Sequence, residues 1–175
     1  MQRLSRHDPT LKWIYLYNKQ HTDAEVAELA DCLLAHPDLV THVYLCGNQL
    51  TDETGVKLAR YVAASSTVEY LGLSSNQFGP ATYLALAAAL RVNTSLQRLY
   101  LFGNQAEDKS RIDAAFVSAL RLNRSRPVCS RWLFYLHSND FSRLQAAAEQ
   151  QGHPSLQLLL VLDDRRLPAP SEVSH

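Results

Sequence analysis

The chain has 175 residues, 46% of them hydrophobic and 19% charged, which suits one compact domain or a short repeat array. Its 17 basic and 17 acidic residues cancel, so no overall field draws it to nucleic acid or to an anionic membrane. The N-terminus carries no apolar run of signal-peptide length, and no stretch approaches the roughly 20 apolar residues that a membrane helix needs.

Residues 1–10 are expected to form a short N-terminal cap. Leu11-Lys12-Trp13-Ile14-Tyr15-Leu16-Tyr17 then alternates at period two, which predicts a strand, and helical spacing follows over 22–36. The strand pattern returns as Val40-Thr-His42-Val43-Tyr44-Leu45-Cys46-Gly-Asn48-Gln-Leu50. A helix over 52–64 comes next, with Val56, Leu58, Ala59 and Val62 on one face. Val68-Glu69-Tyr70-Leu71-Gly72-Leu73-Ser74-Ser75-Asn76-Gln-Phe78 precedes a helix over 80–92, which Pro80 opens and whose face is Leu84, Leu86, Ala87 and Leu90. Leu96-Gln-Arg98-Leu99-Tyr100-Leu101-Phe102-Gly-Asn104-Gln-Ala106 precedes a helix over 108–123 that turns Phe116, Val117 and Leu120 inward. Asp52 and Asp108 suit the N-termini of their own helices. A further copy, Arg131-Trp-Leu133-Phe134-Tyr135-Leu136-His137-Ser-Asn139, leads to a helix over 140–151 and a last apolar strand, Leu156 to Leu162. Residues 163–175 read as a flexible tail.

Copies that begin at residues 40, 68 and 96 keep a spacing of 28 and read LxxLxLxxNx(L); the first copy lies 29 residues upstream and has Lys19 at the asparagine position. In each, the apolar positions face a core and the intervening ones face out of a sheet. The asparagine bonds backbone groups that would otherwise be buried unpaired where the chain leaves the strand. One strand and one helix per 28 or 29 residues, stacked in parallel, predicts an α/β solenoid. Five repeats and a terminal strand over 11–162 would form a curved parallel sheet with helices on its convex side. Leu16, Leu45, Leu73, Leu101 and Leu136 should be core, and Asn48, Asn76 and Asn104 buried.

The repeats resemble the ribonuclease-inhibitor-like subclass of leucine-rich repeats, above all over Asn93-Thr-Ser-Leu96-Gln-Arg98-Leu-Tyr100-Leu-Phe102-Gly-Asn104. Such solenoids serve as inhibitors, immune sensors, GTPase regulators, actin-capping proteins and secreted effectors. The resemblance therefore implies binding through the strand face and names no partner.

That face carries the specific signal. The outward position between the two core residues is Tyr15, Tyr44, Gly72, Tyr100 and Tyr135; the one before is Trp13, His42, Tyr70, Arg98 and Leu133; the one after is Tyr17, Cys46, Ser74, Phe102 and His137. An aromatic ridge open to water marks an interaction surface; a ladder that only stabilises the sheet is the alternative. The candidate partner-binding residues are Trp13, Tyr15, Tyr17, His42, Tyr44, Tyr70, Arg98, Tyr100, Phe102, Tyr135 and His137, with Tyr44, Tyr70 and Tyr100 largely exposed. Gly72 should leave a shallow notch in mid-ridge.

No constellation points to catalysis, a cofactor or a metal. His42 and His137 would stand three strands, about 15 Å, apart, and Cys46 reads as a small surface cysteine. Cys32, Cys46 and Cys129 form no CxxC and suit a reducing compartment, or an exported protein that does not use disulfides. The expectation is a non-enzymatic module, an adaptor or an exported effector, that binds a protein or peptide in the cytoplasm of its own cell or a host's. Self-assembly as a homodimer through a terminal strand, or GTPase regulation, are the alternatives. The stretch from Arg121 to Arg131, with four arginines, is a second-choice site for anionic groups.

Overall fold

A computed structural model describes residues 2–105, 107, 109–123 and 133–135. Five three-residue strands, β1 (Trp13–Tyr15), β2 (His42–Tyr44), β3 (Tyr70–Gly72), β4 (Arg98–Tyr100) and β5 (Leu133–Tyr135), lie parallel and in chain order in one sheet. The register sets Trp13, His42, Tyr70, Arg98 and Leu133 in one row and Tyr15, Tyr44, Gly72, Tyr100 and Tyr135 in another, which are the rows that the repeat predicts. Between the strands run α2 (Asp23–Ala35), α3 (Asp52–Ala64), α4 (Pro80–Leu90) and α5 (Lys109–Leu122), each packed on the next; a short α1 (Gln2–Ser5) precedes β1 and sets Leu4 against the core. The fold is an α/β leucine-rich-repeat-like solenoid.

Alternation buries Val43, Leu45, Leu71, Leu73, Leu99 and Leu101 completely under the helices. Leu16 is only half-buried, because β1 has a neighbouring repeat on one side alone. Leu136, the helix over 140–151, the strand from Leu156 to Leu162, the stretch from Arg124 to Arg131 and the 163–175 tail lie outside the described residues.

Leu58, Ala59 and Val62 of α3 and Leu86, Ala87 and Leu90 of α4 are buried as predicted, but each face is wider than expected and its first residue lies at the margin. Val56 and Leu84 are half-buried, while Tyr61 and Tyr83, with Thr54 and Thr82, go inside. Each phenol can be buried because its hydroxyl donates to a backbone carbonyl, Tyr61 to Val40 at 3.3 Å and Tyr83 to Leu101 at 2.8 Å. Burial pushes both phenol pKa values well above the usual range. α4 ends at Leu90, two residues early, and Phe116 is buried beside Ile112 and Ala119. The side chains of Val117 and Leu120 lie outside the described residues.

Polar groups stitch each repeat to its neighbour. Asn48 donates to Leu16 O and Leu45 O (2.9 and 2.8 Å) and accepts from His21 N (2.9 Å). Asn76 donates to Leu45 O and Leu73 O, both at 3.0 Å, and accepts from Leu50 N at 3.2 Å. Asn104 repeats the pattern on Leu73 O and Leu101 O but is half-buried, not buried as expected. A second ladder runs behind the helices, where Asn93 donates to Val62 O and Ser65 O, and Asn123 to Leu90 O and Asn93 O.

Asp52 lies in the first turn of α3 as expected, where Thr51 is the cap. The Asp52 carboxylate reaches forward to Gly79 N (2.9 Å) and Thr82 N (3.0 Å) at the start of α4. Asp23 likewise accepts from Thr51 N, Thr51 Oγ1 and Thr54 N at the start of α3. At that point the first turn of the next helix presents free N–H groups that a carboxylate one repeat back can reach. Asp108 lies outside the described residues. The chain turns after β1, β2, β3 and β4 also pass through a left-handed residue, in sequence Asn18, Gly47, Ser75 and Gly103, with φ of 53, 71, 55 and 70°.

Candidate functional site

The open face of the sheet holds one connected set of rings. Trp13 stacks on His42 (5.1 Å between centroids), His42 on Tyr70 (5.8 Å), and Tyr15 tilts against Tyr44 (5.4 Å) and Tyr17 (6.2 Å). Tyr44 meets Tyr70 at 4.4 Å, and Tyr70 meets Tyr100 at 5.2 Å.

The ridge therefore has no notch. A Cβ placed on Gly72 would sit 2.9 Å from Cys46 Sγ and 3.1 Å from Tyr70 Cε1, so the Tyr70 ring lies over the glycine and bridges the two tyrosines on either side. Gly72 is what lets it do so: a side chain there would crowd Cys46 Sγ and force the Tyr70 ring to give way. Two expectations fall with the notch. Tyr70 is buried at 8% exposure, and Tyr44 and Tyr100 are half-buried, so none of the three is largely exposed. Cys46 is buried as well, and burial pushes its thiol up to about 11, which leaves it a core residue without thiolate chemistry.

Exposure is concentrated at the β1 end instead. Trp13, Tyr15 and Tyr17 are 45, 49 and 36% exposed, and His42 beside them is half-buried. Burial, and then the charge of Arg98, hold the His42 imidazole below its ordinary pKa against the pull of Glu69, so it is neutral at pH 7. Burial raises the Tyr44 and Tyr70 phenols, which therefore stay protonated and can both donate and accept hydrogen bonds. Arg98 is exposed and Phe102 half-buried at the β4 end. The structure brings Trp13, Tyr15, Tyr17, His42, Tyr44, Tyr70 and Tyr100 into one surface. It sets the backbone of Tyr135 next to Tyr100 on β5, and His137 lies outside the described residues.

Among the described residues no group of three His, Cys, Asp or Glu side chains could hold a metal ion, and no helix is long and apolar enough to cross a membrane. The exposed edge at β1 is the feature that sequence reasoning missed. Its signal was available, because β1 begins the repeat series and three of its outward residues in succession are aromatic.

No protein family and no curated protein matches the chain by sequence. Solved structures do match by fold. Leiomodin-1 actin-binding site 2 superposes with a TM-score of 0.70 at 17% identity, over 90% of this chain and 85% of that one. The C-terminal domain of tropomodulin from Caenorhabditis elegans superposes with a TM-score of 0.73 at 16% identity, over 90% and 89%. These neighbours correct the ribonuclease-inhibitor-like assignment. The residues that carried it, Asn93 to Asn104, specify the approach to one strand, the strand and its asparagine turn, and that unit does not distinguish one leucine-rich-repeat-like array from another.

Proposed function

We propose that this chain is a non-enzymatic protein-binding module whose partner docks on the open face of the sheet, centred on Trp13, Tyr15, Tyr17, His42 and Tyr44. One observation carries the reading. Of the five large hydrophobic side chains exposed among the described residues, three lie together at one end of the sheet: Trp13 and Tyr15 on β1 and Tyr17 in the turn just after it. Leaving that much aromatic surface in water is unfavourable unless a partner covers it, and Trp and Tyr are the side chains most often found at binding hot spots. Tyr70 and Tyr100 hold the platform from behind, and Arg98 and Phe102 form its far rim. Placing the sheet on the concave side of a curved array over 11–162, between a cap at 1–10 and a tail at 163–175, completes the proposal. The cytoplasm is the compartment that fits it.

Actin is the first partner to test, because the leiomodin-1 structure is described as an actin-binding site. Co-sedimentation with filamentous actin, and affinity capture of other proteins, are run with wild type beside a Trp13→Ala/Tyr15→Ala/Tyr17→Ala variant. The partner should bind wild type at least tenfold more tightly than the triple variant. Lys57→Ala and Arg91→Ala, on the helical side, should bind as wild type does. Equal binding by the triple variant would move the site elsewhere.

A further inference from the structure

β1 is the first strand of the sheet and, among the described residues, has a strand neighbour on one side only. Its bonds to the β2 side run from alternate residues: Leu16 N donates to Tyr44 O at 2.9 Å, Asn18 N to Cys46 O at 2.8 Å, and Lys12 O accepts from Thr41 N and His42 N at 2.9 and 3.0 Å. Successive backbone groups of a strand point to opposite sides. The N–H and C=O groups of Trp13, Tyr15 and Tyr17 therefore point away from the sheet, on the same residues whose rings are exposed. On the other face of this edge, Ile14 and Leu16 are half-buried, whereas Val43, Leu45, Leu71 and Leu73 at the matching positions are fully buried. Free backbone groups with apolar surface on both sides are the conditions under which another strand adds to a sheet.

The charges say which strand. Lys12 and Lys19 stand exposed at the two ends of this edge. Lys12 Nζ donates to the Leu39 carbonyl at 3.4 Å, and neither lysine forms an ion pair with a carboxylate of the described residues. A second copy is a poor occupant. Paired antiparallel about Tyr15, it would set Lys12 of one chain opposite Asn18 of the other, one residue from Lys19, so the lysines of both chains would gather at each end of the seam. Like charges so placed repel.

We infer that β1 accepts an extended peptide as an added strand, with apolar side chains at alternate positions and carboxylates flanking them at both ends. The inference rests on the β1 end being the binding end.

The probe is the capped peptide Asp-Asp-Val-Thr-Val-Thr-Val-Asp-Asp, compared with its Lys-flanked analogue and with an Asp-flanked version N-methylated at alternate amides. Amide hydrogen exchange of Trp13, Tyr15 and Tyr17, read by NMR, should slow at least tenfold with the Asp-flanked peptide and change little with the other two. A Lys12→Glu/Lys19→Glu variant should reverse the preference to the Lys-flanked peptide. Tyr17→Pro removes an outward N–H and should weaken the peptide several-fold more than Tyr17→Ala, which removes the ring alone. No protection, or equal protection by both flanking charges, overturns strand addition. Protection that rises with protein concentration without peptide, together with a dimer in light scattering, assigns the edge to a second copy and overturns it too. If the aromatic triple variant loses its partner while no peptide protects β1, the binding end stands and strand addition falls. If the triple variant keeps its partner, the reading beneath it falls as well.

Discussion

Tyr15 and Tyr70 stand on the same face of the same sheet, yet one is 49% exposed and the other 8%. Each is an aromatic at an outward-facing position of its repeat, followed by an inward-facing leucine. What differs is the number of strands around them. Tyr70 has Tyr44 and Tyr100 on its two sides and a glycine next to it to cover. Tyr15 has Tyr44 on one side and no strand on the other. An aromatic in the middle of such an array is consumed by its neighbours and stabilises the sheet; at the edge the same side chain remains available to a partner. The ladder and the binding surface, alternatives in the sequence, are two regions of one structure.

Substitutions can break that contrast, and the largest effect belongs to the middle. Tyr70→Ala should destabilise by about 3 kcal/mol, from the usual cost of deleting a buried aromatic ring, measured by urea unfolding. A loss under about 1 kcal/mol would mean that Tyr70 is as dispensable as an edge residue. Asn76→Ala should cost about 1–3 kcal/mol, because the buried Leu50 N would lose its acceptor, and Leu45 O and Leu73 O would each lose one of two side-chain donors. Asn104→Ala should cost less, since its site is half-open to water.

The next effect tests how the edge repeat holds the middle. Asp23→Ala removes the forward cap of α3 and should cost about 1 kcal/mol at pH 7. Burial alone would raise the Asp23 carboxyl pKa, but the bonds from Thr51 and Thr54 outweigh it and lower the value. The sign follows: the folded pKa lies below the unfolded one, so the stabilisation is present above about pH 4 and is lost as pH falls through the folded value. Thermal melts of wild type and variant should differ at pH 7 and converge toward pH 2. A gap that widens in acid would contradict the assignment.

Ser75→Gly should stabilise by about 0.5–1 kcal/mol, because a serine at φ of 55° occupies the left-handed region that glycine takes freely. Smallest of all, Tyr15→Ala should shift stability by less than about 0.5 kcal/mol while weakening partner binding. Equal destabilisation by Tyr15→Ala and Tyr70→Ala would erase the distinction between the two regions.

Much of the fold was legible in the sequence, because leucine spacing and the asparagine position are local and strict. The strand rows from Trp13 to Tyr135 emerge in the predicted register. The helix faces were less so. A tyrosine at 61 or 83 reads as polar until its hydroxyl has a carbonyl in reach, and that carbonyl belongs to another segment. The site was half legible. Which residues face outward follows from alternation, but how far each is exposed depends on its neighbours. Nothing local to Gly72 says that Tyr70 will cover it. The second asparagine ladder did leave a trace, in the recurrence of Ser65, Asn93 and Asn123 just past successive helices.

The forward caps bear on how such a chain can lengthen. Asp23 and Asp52, each the first residue of its helix, serve the helix that follows, and Pro80 holds the same place in α4 without an oxygen to offer. A tandem duplication of the α2 or α3 unit inserts a segment that finds a carboxylate waiting behind it and brings one for the segment ahead. A duplication of the α4 unit brings none, and the helix after it must find another way to satisfy its first turn. Growth of the array by copying is thus favoured at its N-terminal side, which is also the side that keeps its aromatic edge free.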